Sequence, residues 1–123
     1  IPVPKLQLIC AVLTKHLNLK LNSYDVFVNV TGGLRLTDPA ADLSLALAII
    51  SSYKNLSLPI NSLALGELGL LGEIRPIAYL DKRLKEAKNL GYQPLDPKIN
   101  NLKKLSATLF SSSTKPQKPQ ASV

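Results

Sequence analysis

The chain has 123 residues, the length of one ordinary domain, and its hydrophobic fraction of 46% is enough to form a core. No apolar run approaches the roughly 18 residues that cross a bilayer, and the start lacks the pattern of a signal peptide, so we expect a soluble protein with no membrane partner. The formal net charge of +7 favours a polyanionic partner, nucleic acid before anionic membrane, although solvated lysines would give the same excess.

The first predicted elements are a helix and an extended pair. Residues 3–17 predict a helix, because their apolar side chains recur on one face. That face holds Leu6, Ile9, Leu13 and Leu17. Residues 24–30 are rich in β-branched and aromatic side chains and predict a strand. A Gly-Gly pair then interrupts the pattern and residues 34–37 continue it, which indicates either a hairpin or a bulged strand.

Residues 39–53 predict the central helix, since apolar side chains occupy nearly its whole circumference. Thr37 or Asp38 can cap it, and a proline follows at the first helical position. A helix start after a glycine-rich segment is a favoured place for an anion or a nucleophile. Here, however, residues 40 and 41 are both alanine.

The second half of the chain predicts two strands and two helices. Residues 62–68 and 72–77 favour strands, with a turn between them. Residues 80–90 favour an amphipathic helix that ends at Gly91, with an apolar stripe and a basic side. The stripe holds Leu80, Leu84, Ala87 and Leu90, and the basic side holds Lys82, Arg83, Lys85 and Lys88. Residues 92–100 are expected to be loop, and residues 100–110 (NNLKKLSATLF) a last helix.

The chain divides into a domain over residues 1–110 and a Pro/Ser/Lys-rich tail over residues 111–123, which we expect to be disordered. Since the first residue is not Met, we expect the chain to be part of a longer protein. The lone Cys10 is interpreted as a small buried hydrophobe rather than a reactive thiol. The lone His16 is interpreted as a polar residue near a helix end, and no zinc site or Walker-type phosphate loop is expected.

Three stretches in order carry a family resemblance: DVFVNV with the following Gly-Gly and the ADL-led helix, GELGLLGEIRP, and LDKRLKEAKNLGY. The chain resembles the C-terminal Lon-protease-like domain of the RadA (Sms) family of bacterial DNA repair proteins. The resemblance covers roughly residues 3–92 and the segment NLKKLSATL. It implies an α+β, Lon protease-like (ribosomal protein S5 domain 2-like) fold, with a mixed sheet packed against helices. After residue 92 the chain departs from the family, which usually continues with an apolar strand.

The resemblance implies a degenerate catalytic dyad. Lon proteases carry a serine in G-P-S-A-G and a lysine in P-I-G-G-L-K-E-K. Here Ala40 stands at the serine position and Asp81 at the lysine position. Alanine offers no nucleophile, and a carboxylate does not replace an amine that deprotonates serine. The nearest hydroxyl, Ser44, lies one turn further on, about 6 Å along the helix axis. We therefore expect no enzyme activity from this domain alone.

The resemblance further implies a hexameric, ATP-dependent DNA motor in the bacterial cytoplasm, or in an organelle of bacterial descent. ATP and zinc are expected in upstream domains, and this domain is expected to support the ring and bind double-stranded DNA through its phosphates. The candidate contacts, each with a solvated surface charge as its alternative, are Lys54, Arg35, Arg75, Lys82, Arg83, Lys85 and Lys88. Two other functions remain open: a pure oligomerisation scaffold without DNA contact, and an active Ser-Lys peptidase.

Overall fold

The computed structural model describes residues 3–21 and 38–110. The helices are α1 (Val3–Leu17), α2 (Asp42–Lys54), α3 (Leu80–Asn89) and α4 (Leu102–Leu109), and a 3-10 turn (Pro39–Ala41) leads into α2. The strands are β1 (Ser62–Leu63), β2 (Glu67–Leu68), β3 (Ile74–Arg75) and β4 (Gln93–Pro94). The strands predicted at 24–30 and 34–37, with Arg35, lie outside the described residues, as does the tail 111–123.

Helix α2 lies at the centre of the core, as its all-round apolar sequence predicts. Its buried residues run from Asp42 to Ile50 with only Ser44 exposed among them. Helix α1 packs against it through Ile9, Val12 and Leu13. A helix that is apolar on every side is stable only where neighbours cover every side, and α1, α4 and the loops around the strands provide that cover.

The stretch 62–68 is not the continuous strand predicted from its sequence. It forms two short strands in different sheets, because the chain turns aside at Gly66 to bond the start of α2. The amide of Gly66 donates to the carbonyl of Ala40 at 3.0 Å, and the carbonyl of Gly66 accepts from the amide of Leu43 at 3.1 Å. β2 then pairs antiparallel with β3, which confirms a strand within residues 72–77.

The loop predicted after Gly91 contains a two-residue strand, so the expectation was wrong at residues 93 and 94 and is confirmed for residues 95–100. β4 pairs parallel with β1, through Gln93 N to Asn61 O at 2.8 Å and Leu95 N to Leu63 O at 2.9 Å. Pro94 has no amide to donate, and the pairing uses the residues on either side of it. The pattern was missed because a two-residue strand that contains proline carries almost no periodicity.

Helix α3 links the two parallel strands and lies on the surface, with Ala87 its only buried residue. Leu90, predicted in its apolar stripe, is 72% exposed because the helix ends at Asn89 and the chain turns away through Gly91 at a φ of 91°. The turn at Gly91 is the one predicted from its left-handed tolerance.

Helix α4 closes the core with Leu102 and Leu105, and the side chain of Asn101 caps it by accepting from the amide of Lys104. The α+β class is confirmed, although in the described part of the chain the strands form two separate pairs rather than one mixed sheet. Within residues 3–21 and 38–110, no helix is both long enough and apolar enough to cross a bilayer.

Candidate functional site

The turn before α2 holds the degenerate serine position in a closed setting. Asp38 caps it, with its Oδ1 accepting from the amide of Ala40 at 3.0 Å. That bond, followed by the ion pair with Arg83, holds the pKa of Asp38 below its ordinary value. Ala40 itself is 3% exposed. The residue that the resemblance aligns with the Lon serine therefore presents only a buried methyl group beneath a capped turn.

The amides at this helix start are already bonded. Those of Ala40 and Ala41 donate to Asp38, and that of Leu43 donates to the Gly66 carbonyl. An anion at this end would have to displace those acceptors, because each backbone donor makes one good hydrogen bond. The structure thus explains how a glycine-preceded, capped helix start serves the fold instead of holding an anion.

The only hydroxyl in the first turns of α2 is also occupied. Ser44 is exposed, and its Oγ donates to the carbonyl of Ala41 at 2.9 Å, within its own helix. Activation of a serine needs a basic side chain that accepts the hydroxyl proton, and among the described residues the Ser44 hydroxyl bonds a backbone carbonyl and no basic side chain. This arrangement gives no support to Ser44 as a replacement nucleophile.

Asp81, at the lysine position of the dyad, lies exposed in the first turn of α3. The preceding Tyr79 has a left-handed backbone, with φ at 59°, and sets the entry into the helix. Two residues beyond Asp81, Arg83 Nη2 lies 3.1 Å from Asp38 Oδ2. The two segments that hold the dyad positions are therefore joined by an ion pair rather than by a Ser-Lys hydrogen bond.

A second ion pair at the same helix start was missed from the sequence. Asp42 is 4% exposed, and its Oδ2 accepts from Lys5 Nζ at 3.2 Å and from the amide of Leu68 at 3.1 Å. One buried carboxylate thus ties α1, α2 and β2 together. The one available signal was an acidic residue at the start of an otherwise apolar helix, and its partners are 37 and 26 residues away in sequence.

The predicted DNA-contacting residues fall into two groups. Arg83 is paired with Asp38, and Arg75 Nη2 lies 3.5 Å from Glu73 Oε2, the alternative role expected for Arg75. The amide of Leu71 also donates to Glu73, and this bond, more than Arg75, lowers the pKa of Glu73. The other group is exposed and makes no ion pair with described residues: Lys54, Lys82, Lys85 and Lys88.

The exposed lysines do not form a single patch. Lys82, Lys85 and Lys88 follow one another at three-residue intervals along one side of α3. Lys54 ends α2, whose opposite end lies beside Arg83 through Asp38. At 1.5 Å per residue, the length of α2 separates Lys54 from that end by about 18 Å. The structure therefore groups the α3 lysines and places Lys54 apart.

An apolar cleft of about 270 Å³ lies between β1, β3, α3 and the segment that follows β4. Its walls include Leu43, three residues after Ala40, and Leu80, which directly precedes Asp81, and its polar lining includes Arg75 and Lys98. The cleft offers mainly van der Waals contact to an occupant. In the part of the chain that is described, His, Cys, Asp and Glu do not gather in threes that could hold a metal ion.

Comparison with known proteins places the chain in a family. The chain is 48% identical over 89 residues to a protein named DNA repair protein RadA from Chlamydia pneumoniae, which covers 72% of this chain and 20% of that protein. The RadA protein of Campylobacter jejuni is 50% identical over 84 residues, or 68% and 19% of the two chains. That of Rickettsia typhi is 40% identical over 99 residues, or 80% and 22%.

The chain thus spans about a fifth of the length of the curated relatives it matches. A family model described as subunit ChlI of Mg-chelatase matches residues 7–98, which include most of α1, all of α2 and α3, and the four strands of the described residues. Because this match extends over most of the chain, the protein belongs to the ChlI family.

Proposed function

We propose that this chain is a non-catalytic, Lon-like domain of a RadA-type DNA repair and recombination protein. In this role it supports assembly of a homo-oligomeric ring, hexameric by the family resemblance, and binds double-stranded DNA through phosphates during branch migration. The observation that carries the proposal is the identity of 40–50% to proteins named DNA repair protein RadA. We give these matches more weight than the family description, which names a subunit of Mg-chelatase.

The non-catalytic part of the proposal rests on the chemistry of three positions. Ala40 is a buried methyl group, Asp81 is a carboxylate, and the Ser44 hydroxyl is bonded to its own helix. A Ser-Lys mechanism needs a free hydroxyl beside an amine that can accept its proton. We expect ATP and zinc to bind other modules of such a protein, in a bacterial cytoplasm, and assign neither to residues of this chain.

The DNA-binding part of the proposal is supported by the α3 lysines. They are exposed and unpaired with described residues, so phosphate contact would not break a salt bridge of the fold. Contacts of this kind give affinity without base reading, and each lowers the logarithm of affinity by about 0.9 per tenfold rise in salt. Triple replacement of Lys82, Lys85 and Lys88 by Gln is therefore expected to weaken duplex binding and reduce the salt slope by about 2–3.

The experiment is a salt titration of labelled duplex DNA by fluorescence anisotropy, with the assembled oligomer. The control is Lys20→Gln, which removes an exposed lysine that follows α1 and does not belong to α3. Absence of duplex binding at low salt in the assembled wild type would rule out the DNA role. Assembly itself is measured in parallel by analytical ultracentrifugation.

Variants of the Arg83–Asp38 ion pair distinguish a DNA-binding domain from a pure scaffold. If Arg83 contacts DNA, Asp38→Asn frees the guanidinium and strengthens duplex binding, whereas Arg83→Gln weakens it. If the pair is only part of the fold, both variants lower thermal stability and neither changes affinity. Lys54→Glu with unchanged affinity and intact assembly would likewise favour the scaffold.

A further inference from the structure

A small polar cavity of about 260 Å³ lies at the end of α1, away from the dyad positions and from α3. Lys15 and His16 come from the last turn of α1, and Asn18 follows it with a left-handed φ of 58°. Lys103 comes from the first turn of α4. The remaining lining residues are Leu71, Gly72 and Asn101.

Three contacts hold the walls of this cavity together, one from a side chain to the backbone and two between backbone segments. His16 Nε2 lies 2.9 Å from the carbonyl of Leu70, which makes Nε2 the donor, so that the imidazole joins the end of α1 to the β2–β3 turn. The amide of Leu102 donates to the carbonyl of Gly72 at 2.9 Å, and the backbones of Glu73 and Asn101 form an isolated antiparallel β-bridge. The two lysines therefore stand on helices, α1 and α4, and both helices are joined to the β2–β3 turn by these contacts.

The electrostatics of the cavity favour an anion. Two lysines and an imidazole line it, and none of the described lining residues is acidic. The nearest carboxylate in sequence, Glu73, already accepts from the Leu71 amide and faces Arg75. The positive end of the α4 dipole adds to the field, while the carbonyl end of α1 is offset by Lys15 and His16.

We propose that this cavity binds a phosphate group, with Lys15 and Lys103 as its charged partners and the side-chain NH2 of Asn101 as a further hydrogen-bond donor. A tetrahedral oxyanion presents several acceptors, which suits donors that converge from the end of α1 and the start of α4. The phosphate belongs either to a duplex DNA backbone or to a small phosphorylated compound. In the first case the inference rests on the proposed DNA function and adds a contact site distinct from the α3 lysines, none of which lines the cavity.

The first arm of the test uses inorganic phosphate as the probe and the side-chain NMR resonances of His16 as the readout. Wild-type protein is expected to show saturable shifts. Lys15→Gln/Lys103→Gln is expected to lose affinity at least about tenfold, equal to about 1.4 kcal/mol. The matched control Lys20→Gln/Lys98→Gln removes the same charge from exposed lysines that do not line the cavity and should keep wild-type affinity. Equal affinity in the Lys15/Lys103 variant and the wild type overturns the proposal, as does equal loss in the control.

The second arm uses labelled duplex DNA with the same variants. A lower affinity and a salt slope reduced by about 1–2 in the Lys15/Lys103 variant identify the backbone as the phosphate source. Unchanged duplex binding together with lost phosphate binding identifies a small phosphorylated ligand. Phosphate binding without any duplex binding leaves this cavity established and rejects the DNA function, while duplex binding without phosphate shifts at His16 rejects the cavity alone.

Discussion

Arg83 Nη2 lies 3.1 Å from Asp38 Oδ2, and this contact joins the first turns of α3 to the turn that precedes α2. In Lon proteases the corresponding segments would bring together a serine and a lysine. Here Asp38 stands two residues before Ala40, and Arg83 two residues after Asp81. The two segments are held by an acid and a base at flanking positions, so their attachment does not require the dyad.

The first prediction concerns the pH dependence of this attachment. The pKa of Asp38 is lowered from 3.8 by the Ala40 amide and by Arg83, so the folded state favours the carboxylate. Its contribution to stability is full above the unfolded-state value and is lost as pH falls through the lowered folded value. Asp38→Asn should therefore lower the melting temperature at pH 6, and the difference from wild type should shrink below about pH 4.

The control for that experiment is Asp81→Asn, because the Asp81 carboxylate makes no hydrogen bond or ion pair with described residues. It should change the melting temperature less at every pH. A melting-temperature difference between Asp38→Asn and wild type that stays constant from pH 6 to pH 2 would contradict the assignment of the cap and ion pair to the carboxylate.

The second prediction concerns the buried carboxylate of Asp42. Lys5→Met removes its ion-pair partner and leaves a carboxylate that is 5% exposed, with the Leu68 amide as its one remaining donor among the described residues. The expected loss is about 1–3 kcal/mol in the free energy of unfolding, measured by urea denaturation. Lys15 lies on the same helix and makes no ion pair with described residues, so Lys15→Met should change the free energy of unfolding little.

A second substitution separates lost charge pairing from lost packing. Asn at position 42 can still accept from the Leu68 amide but carries no charge. Asp42→Asn in the Lys5→Met background is therefore expected to recover part of the lost stability. If the double variant is less stable than Lys5→Met, the unpaired charge is not the source of the loss.

The third prediction compares two glycines. A Cβ at Gly66 would lie 2.7 Å from Ile74 Cγ2, inside the bonded turn at the start of α2. Gly66→Ala should cost about 1–3 kcal/mol, since neither the backbone nor the branched side chain can move away freely. A Cβ at Gly69 would meet instead the carboxylate of Glu73, the mobile end of a long side chain.

Gly69→Ala is accordingly expected to destabilise less than Gly66→Ala and to leave a local signature. When the Glu73 carboxylate moves off the Leu71 amide, its lowered pKa should rise towards the ordinary value. Carbon-detected NMR titration of Glu73 measures this directly. An unchanged Glu73 titration in folded Gly69→Ala protein would show that the carboxylate does not occupy the space beside Gly69.

The fourth prediction concerns peptidase activity. Wild-type protein is expected not to cleave casein, and Ser44→Ala is expected to change nothing, because its hydroxyl is bonded to Ala41. Ala40→Ser inserts a hydroxyl at a position that is 3% exposed and should cost about 1–3 kcal/mol if that hydroxyl finds no partner. Casein cleavage by the wild type that Ser44→Ala abolishes would revive the peptidase alternative.

The helices were predictable because each depends on local sequence. The apolar spacing in residues 3–17, the all-round apolar run after Pro39, and the Gly91 stop gave α1, α2 and α3 within a residue or two at most ends. The strands were less predictable from the sequence. Residues 62–68 satisfy a strand pattern, yet Gly66 bonds Ala40 and Leu43, partners more than 20 residues away that no local pattern indicates.

For the candidate site, the residue identities at Ala40 and Asp81 and the basic excess are properties of the sequence alone, since a missing hydroxyl or amine needs no coordinates. Pairing was decided only by the tertiary structure. It sets Arg83 on Asp38 and Lys5 on Asp42, leaves the α3 lysines exposed, and gathers Lys15 and Lys103 from opposite ends of the chain. The physical reason is that electrostatic contacts depend on distances in space, and only packing of the helices around α2 brings such distant residues within a few ångströms.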